Sequence, residues 1–368
     1  MNLITPILAL FILNFIIFLI ILDFNKSRKN LKEPLITFLV PCYNGEKTLK
    51  CCIESIYNSY NPNKIELFVI DDHSIDNTTN ILKILQKQFK FKIITNNRNL
   101  GKTKSINSTW RKAKGELIWI VDADIILNKV SVNECLKRLY SNDKIGAISC
   151  KYKVIKKSLL SWMVGLEYNM MSFVNSAYNM FPKGAFLIGG CSVYRKKAFL
   201  DINGLKNNMI SEDMDSGLRL WKKGWKVEQS FNPILTYSPE TIKKWLSQKI
   251  RWSAGGMQCF LSNPYLFIKN PLTILFVLIY SIGALLGAIE ITSLPFLNIS
   301  YFVSILLLFL INLPYIILEI DSFKEIKKLY YLFPFVIIYY PIFLIISVFG
   351  FFKGFFSYFT LNKSRRGW

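Results

Sequence analysis

Residues 117–124 read Leu-Ile-Trp-Ile-Val-Asp-Ala-Asp, five bulky apolar side chains followed directly by two carboxylates. A short apolar run of this kind predicts a strand buried on both faces, which is the usual environment of a parallel sheet. Asp122 and Asp124 are separated by one residue, so both point to the same side of an extended chain. The stretch therefore predicts a buried strand that presents two acids at one edge of a sheet.

The segments around this stretch repeat one pattern. Further strands are predicted over residues 36–40, 66–70, 92–95 and 145–149. Segments of helical composition lie between the strands, over residues 46–58, 76–89, 103–113 and 129–140. Strands that alternate with helices of this length predict an α/β fold, in which a mostly parallel sheet carries helices on both faces.

Polar side chains follow three of the predicted strands. These side chains are Tyr43, Asn44, Asp71, Asp72, Asp122 and Asp124, and Pro41 stands two positions before the first of them. Helix capping would explain one acid at each strand end, but not a pair of acids at two of them. Ligands of open α/β sheets bind beyond the carboxyl ends of the strands. We therefore expect the three clusters to converge on one cleft.

Two features of this predicted cleft suit a bound phosphate compound. Two carboxylates together with substrate phosphates form a typical site for Mg²⁺ or Mn²⁺, and Asp122 and Asp124 provide such a pair. Lys102 follows Gly101, but Asn96 occupies the position where a P-loop needs glycine, so the segment is not a P-loop. Lys102 either contacts a phosphate at a helix start or lies in solvent.

The second half of the soluble region has weaker motifs. Gly190, in Gly-Gly-Cys-Ser, permits either a close backbone approach or a simple turn. Glu212 and Asp213 begin a helical stretch, where the helix dipole favours acids in any protein. Each motif by itself has an ordinary structural explanation.

Aromatic residues mark two other segments. Residues 159–178 predict either a helix lying against lipid or a core helix. Gln248, Arg251 and Trp252 precede long apolar runs, where basic and aromatic side chains often anchor a protein at a membrane interface.

Composition indicates a membrane protein. Of 368 residues, 52% are hydrophobic and only 19% are charged, which excludes a disordered chain. Four apolar runs are long enough to span a bilayer, at 3–22, 272–289, 297–318 and 331–352. The formal net charge of +22 favours anionic substrates and an anionic inner leaflet. Nucleic acid is excluded as a partner because the chain has no nucleic-acid-binding motif and four apolar runs.

These runs divide the chain into three predicted parts: a transmembrane helix over 1–24, a cytosolic domain over 25–265, and a region of about three transmembrane helices with a basic tail over 266–368. Basic residues directly after the first run place the domain in the cytoplasm. Seven cysteines without a C-x-x-C pair, and a single histidine, fit a reducing compartment and exclude a zinc site. The basic tail favours the cytoplasm too, so one late run would be re-entrant or interfacial. We expect an integral protein of the plasma membrane.

The ordered motifs P-x-Y-N, D-D-x-S-x-D, N-x-G-K, D-A-D, G-G, S-E-D and Q-x-x-R-W resemble those of the membrane-bound family 2 glycosyltransferases. This family includes the poly-N-acetylglucosamine, hyaluronan, chitin and cellulose synthases. The resemblance covers residues 36–252 and implies a GT-A-type, Rossmann-like cytosolic domain. Ser211 replaces the usual Thr of the T-E-D triplet, His73 replaces a common Gly, and most of the larger synthases have more membrane spans.

The resemblance also implies a role for each motif. It implies a nucleotide-sugar site built from Pro41, Tyr43, Asn44, Asp71, Asp72, Lys102, Asp122 and Asp124. It implies an acceptor and diphosphate site built from Gly190, Glu212, Gln248, Arg251 and Trp252. Asp213 is implied as the general base, and Asp124, with Asp122, as the ligand of Mg²⁺ or Mn²⁺.

The implied reaction is transfer of a sugar from a nucleotide-sugar donor, with UDP-N-acetylglucosamine as the first candidate, to a growing β-linked polysaccharide. One base without a separate nucleophile predicts a single displacement that inverts the anomeric carbon. Two alternatives stay open: transfer of one sugar to a membrane lipid, and an inactive membrane scaffold.

Overall fold

The computed structural model describes residues 32–185, 188–264 and 334–361. The strands in these ranges are β1 Ile36–Cys42, β2 Ile65–Asp71, β3 Lys92–Thr95, β4 Leu117–Ile120, β5 Ile125–Ile126, β6 Ile145–Ile155, β7 Ser192–Arg195 and β8 Lys226–Tyr237. The α-helices are α1 Leu49–Ser59, α2 Thr78–Leu85, α3 Lys102–Thr109, α4 Lys129–Ser141, α5 Leu159–Ala177, α6 Lys196–Asp201, α7 Glu212–Lys222, α8 Ile242–Ser262 and α9 Tyr340–Leu361.

The strands form one sheet in the order β3-β2-β1-β4-β7-β6-β8-β5. β1 is parallel to both β2 and β4, and β2 is parallel to β3, as the alternating pattern predicts. The far half is mixed, because β7 runs antiparallel to β4 and β6 while β6 and β8 are parallel. The predicted α/β class is confirmed, and the parallel arrangement is strictest around β1.

Helices cover both faces of the sheet. Successive strand residues point to opposite faces, so Phe38 and Val40 pack in one buried cluster and Leu39 packs in another. The first cluster includes side chains of α1, α2 and α4, and the second includes side chains of α3, α6 and α7. The predicted two-sided burial of the central strands follows from these two clusters.

A third packed region joins α5, α8 and α9. Ser158 caps α5 by accepting a hydrogen bond from Ser161 N, and the described side chains of α5 are mostly buried, as expected of a core helix. α8 and α9 lie close together, since a Cβ at Gly354 would lie 2.4 Å from Ala254 O. A π-helical turn, Phe335–Tyr339, precedes α9 and packs in the same region.

The predicted membrane spans are not confirmed. The runs 3–22, 272–289 and 297–318 lie outside the described residues, and the run 331–352 lies partly within α9. Across 32–185, 188–264 and 334–361, no helix combines the length and the apolarity that crossing a bilayer requires. The spans and the three-part division therefore stay predictions.

Candidate active site

A cleft of about 1220 Å³ opens at the carboxyl ends of the central strands. Every predicted site residue except Asp71 lines it. The cleft collects residues from the ends of β1 and β4, the start of α3, the start of α7 and the middle of α8. The clusters that the sequence places at separate strand ends thus meet in one place.

Asp71 lies beneath the cleft rather than in its wall. Its carboxylate is 1% exposed and accepts hydrogen bonds from Ser74 N at 3.0 Å and from the Thr79 hydroxyl at 3.1 Å. The loop that it holds contacts Asn44, whose backbone N–H donates to Ser74 Oγ at 3.0 Å and whose Oδ1 accepts from Ile75 N at 3.0 Å. Asp71 therefore orders a loop at the rim, and the nucleotide-binding role that the resemblance implies for it stays a prediction.

Asp72 fixes the segment that leads into α3. Its carboxylate accepts hydrogen bonds from Leu100 N at 2.8 Å, Gly101 N at 2.7 Å, Asn96 Nδ2 at 2.7 Å and Ser105 Oγ at 3.1 Å. Gly101 adopts φ +83°, a left-handed conformation that glycine adopts at little cost. The turn then starts α3 at the next residue, which is Lys102.

Lys102 connects the acids at the end of β4 with the acids at the start of α7. Its ammonium lies 2.5 Å from Asp122 Oδ1 and 3.6 Å from Glu212 Oε1. Burial alone would lower the pKa of Lys102, but the charges of Asp122, Glu212 and Asp213 outweigh it and raise that pKa. Lys102 therefore remains a cation at every physiological pH.

Two carboxyl groups of the cleft hold their protons unusually tightly. Burial, with repulsion from Asp122, raises the pKa of Asp124 to about 6. Burial, with repulsion from Glu212, raises the pKa of Asp213 to about 7, although Lys102 opposes this shift. Acids that titrate near neutrality within a cleft are characteristic of catalytic sites.

The donor set at the end of β4 fits a divalent cation. Asp122 and Asp124 supply oxygen ligands, and their mutual repulsion, visible in the raised pKa of Asp124, is relieved when a cation neutralises them. The described residues contain no group of three or more His, Cys, Asp or Glu side chains arranged around a metal. The remaining ligands would therefore come from a phosphate substrate and water, as is usual for Mg²⁺ and Mn²⁺.

Gly190 permits a close approach, as the sequence predicts, and its neighbour is the carboxylate of Asp122. A Cβ at this position would lie 1.9 Å from Asp122 Oδ2, far inside van der Waals contact. Any larger residue would push the Asp122 carboxylate out of place. Gly190 therefore packs directly against the Asp122 carboxylate.

Helix α8 forms the opposite side of the cleft. The Tyr168 hydroxyl donates a hydrogen bond to Gln248 Oε1 at 3.5 Å, and the Tyr168 and Trp252 rings are 5.6 Å apart. Lys249 places its ammonium 4.1 Å from the centre of the Trp252 ring. Arg251 is exposed at the cleft.

Sequence reasoning missed three residues here. Tyr152 lines the cleft and accepts a hydrogen bond from Cys191 N at 2.7 Å, while Tyr168 and Lys249 contact Gln248 and Trp252. The aromatic richness of residues 159–178 and the place of Lys249 inside Q-x-x-R-W were the available clues. Neither clue says which side chains meet.

The arrangement suits transfer of a group away from a phosphate. Asp122, Asp124 and Lys102 can hold a charged diphosphate, together with a divalent cation, beside Asp213. A carboxylate with a pKa of about 7 can accept a proton from an attacking hydroxyl. The residues that can hold a diphosphate and the carboxylate that can accept a proton therefore line the same cleft.

Comparisons with known proteins agree with this geometry. Residues 37–202 match the family described as Glycosyl transferase family 2. The chain is 28% identical over 256 residues to the probable glycosyltransferase YdaM of Bacillus subtilis, and 25% identical over 248 residues to the poly-beta-1,6-N-acetyl-D-glucosamine synthase of Staphylococcus epidermidis. These matches cover 66% and 67% of this chain, and the chain spans 60% of the length of each relative.

The fold resembles that of a mannosyltransferase, PcManGT from Pyrobaculum calidifontis, solved in complex with GDP-Man and Mn²⁺. The TM-score is 0.60 at 14% identity, with 95% of this chain and 97% of the other covered. This likeness confirms the predicted GT-A-type, Rossmann-like sheet domain. The resemblance to the family 2 glycosyltransferases that the motifs predict is therefore confirmed over residues 37–202.

Proposed function

We propose that this chain is a membrane-integrated, inverting glycosyltransferase that moves N-acetylglucosamine from UDP-N-acetylglucosamine to a growing β-linked polysaccharide. The observation that carries the proposal is the half-buried Asp213 carboxyl, with a pKa of about 7, in the same cleft as the Lys102–Asp122 pair. The poly-beta-1,6-N-acetyl-D-glucosamine synthase among the relatives supports this choice of sugar.

The donor binds with its diphosphate at the acid cluster. Asp124 and Asp122 would hold Mg²⁺ or Mn²⁺, and such a cation would supply positive charge to the diphosphate leaving group. The Mn²⁺ in the PcManGT complex supports a metal of this type. Lys102, permanently protonated, adds a fixed positive charge beside Asp122.

Asp213 acts on the acceptor. Its carboxylate takes the proton from the acceptor hydroxyl as that oxygen attacks the anomeric carbon. Because Asp213 is a base and the hydroxyl itself is the nucleophile, the reaction is a single displacement. An α-linked donor then yields a β-linked product, and UDP leaves with the bonding electron pair.

Helix α8 positions the acceptor. Trp252 lines the cleft and offers an indole face on which a sugar ring can stack. Arg251, exposed at the cleft, is placed to contact the diphosphate, and Gln248 offers an amide to sugar hydroxyls. The predicted spans would hold the cleft at the cytoplasmic face of the plasma membrane.

One observation favours a second candidate, transfer of a single sugar to a membrane lipid. Helix α9 contributes an apolar wall to the cleft, including Phe351 and Phe352, which are 40% and 55% exposed. Aromatic side chains in such a wall would suit the lipid part of an acceptor as well as the face of a sugar.

A donor screen tests the proposal. The full chain, in nanodiscs, is supplied with each UDP- and GDP-sugar and either Mg²⁺ or Mn²⁺, and the products are resolved by size. Transfer from UDP-N-acetylglucosamine into a ladder of long products is the expected result. A single lipid-linked addition would favour the second candidate, and no transfer from any donor, with lipid acceptors supplied, would refute both.

A further inference from the structure

A buried ion pair lies directly behind the acceptor side of the cleft. Lys249 Nζ and Glu167 Oε1 are 2.5 Å apart, and their side chains are 0% and 3% exposed. The Tyr339 hydroxyl donates a hydrogen bond to the other oxygen of Glu167, and Trp245 Nε1 donates to the Tyr339 oxygen at 2.7 Å. The network thus joins α5, α8 and the turn before α9.

Stability alone does not account for this pair. Removing two charges from water costs about as much as their attraction returns, so a well-packed apolar pair commonly serves equally well. Burial lowers the pKa of Lys249, and the charge of Glu167 opposes that shift. Glu167 therefore favours the charged form of Lys249 in this position.

The Lys249 ammonium also contacts two aromatic side chains that line the cleft. It lies 4.1 Å from the centre of the Trp252 ring and 5.0 Å from the centre of the Tyr168 ring. A desolvated cation attracts an aromatic face more strongly than an exposed one. Tyr168 in turn donates to Gln248, so one charge is linked to two of the predicted acceptor residues.

We propose that Lys249, held by Glu167, is a positioning residue that fixes the Trp252 indole, and Gln248 through Tyr168, in the orientation that binds a saccharide acceptor. This inference rests on the proposed function, because it assigns a saccharide to the α8 side of the cleft. Lys249 is fully buried and acts through Trp252, so it does not itself contact the sugar.

The decisive variant removes both charges together. Lys249→Met alone leaves Glu167 buried without its partner, which destabilises the fold. The double variant Glu167→Gln/Lys249→Met removes both charges of the ion pair, and the amide oxygen at position 167 can still accept the hydrogen bond from Tyr339. Lys249→Arg keeps a cation as a conservative rescue. Glu134→Gln is the control, because it alters another buried pair, Glu134–Arg138, on a helix that does not line the cleft, and Arg138 keeps Glu228 as an acidic partner at 3.4 Å.

Two quantities are measured for each variant in nanodiscs. The first is binding of a soluble β-linked N-acetylglucosamine oligosaccharide, followed by calorimetry without donor. The second is the KM for UDP-N-acetylglucosamine, from UDP release. We expect the double variant to keep the wild-type melting temperature and donor KM, and to bind the oligosaccharide about tenfold more weakly. Lys249→Arg recovers part of the loss, and the Glu134→Gln control binds like the wild type.

A variant cycle separates positioning from a general structural effect. In a Trp252→Ala background the double variant should weaken oligosaccharide binding much less than in the wild-type background, because the ring that Lys249 orients is gone and only the path through Tyr168 to Gln248 remains. Full additivity would overturn the proposal, as would wild-type binding in the double variant.

Wild-type protein that releases UDP but binds no oligosaccharide would also overturn the positioning role of Lys249, while the proposed glycosyltransferase activity would stand. Protein that neither binds the donor nor releases UDP would instead refute the proposed function.

Discussion

The ammonium of Lys102, the first residue of α3, lies 2.5 Å from the Asp122 carboxylate at the end of β4. A protein cation thus already neutralises one of the two acids that would hold the divalent metal. Asp122 is shared between Lys102 and that metal, and the bond couples the start of α3 to the acid cluster.

The Lys102→Met substitution should therefore strengthen Mn²⁺ binding and, at the same time, lower the rate of turnover. Without the competing ammonium, Mn²⁺ should bind the donor-free protein about fivefold more tightly, the worth of a partly exposed ion pair. Turnover should fall at least tenfold, because the fixed charge beside the leaving diphosphate is lost. Calorimetric Mn²⁺ titration and initial rates measure the two effects.

Lys104→Met, at an exposed position on the same helix, serves as control and should change neither the Mn²⁺ affinity nor the rate. Weaker Mn²⁺ binding in Lys102→Met would contradict the sharing of Asp122.

The rate should depend on pH through Asp213. The base must be deprotonated to work, and burial with repulsion from Glu212 raises its pKa from 3.8 to about 7. We expect kcat to be low at pH 5.5, to rise through pH about 7 and to level off above it. An ordinary Asp would already be ionised at pH 5.5 and would give a flat rate. A flat kcat between pH 5.5 and 8.5 would therefore rule out Asp213 as the titrating base.

Gly190→Ala should inactivate the protein without unfolding it. The added Cβ would meet Asp122 Oδ2 at 1.9 Å and force that carboxylate away from Lys102 and the metal. We expect at least a hundredfold loss of transfer with a folded circular dichroism spectrum. Gly256→Ala is the control, because a Cβ there meets nothing within 4 Å. Near-normal transfer in Gly190→Ala would show that the position of Asp122 does not matter.

Asp72→Ala should destabilise the domain by about 3 kcal/mol, since it leaves the buried donors of Asn96 and Ser105 without their charged acceptor and releases the turn at Gly101. The free energy of unfolding in urea measures this loss. Asp143→Ala, at a fully exposed acid in the loop before β6, should cost clearly less. Equal losses for the two variants would contradict the role of Asp72 in holding the turn before Lys102.

The strands around β1 could be predicted closely from the sequence. β1, β2 and β4 are mostly apolar, and burial on both faces leaves little ambiguity about such segments. β3 also has the predicted bounds, although it is only partly buried. β7 and β8 were not predicted. β8 carries polar residues such as Glu228, Gln229 and Asn232, and its pairing with β6 joins residues about eighty positions apart, which no local pattern encodes.

The site, like the fold, could be predicted only in part from the sequence. The acids that follow β2 and β4 could be placed at one edge because strand ends of a parallel sheet coincide. The sequence could not say that Asp72 lines the cleft while Asp71 lies beneath it, since adjacent residues point in opposite directions and only tertiary contacts fix which one faces inward. The Glu167–Lys249 pair was also beyond reach, because it depends on how α5 packs against α8.

The central claim is that Asp213 is the base of a sugar transfer in this cleft, and one comparison tests it most directly. Asp213→Asn and wild-type protein are assayed side by side for transfer from UDP-N-acetylglucosamine and for binding of the same donor with Mn²⁺. We predict that transfer falls at least a thousandfold while the donor Kd stays within about threefold, because the amide keeps its shape but cannot take a proton. Retained transfer, or a loss of donor binding as large as the loss of transfer, would contradict the assignment.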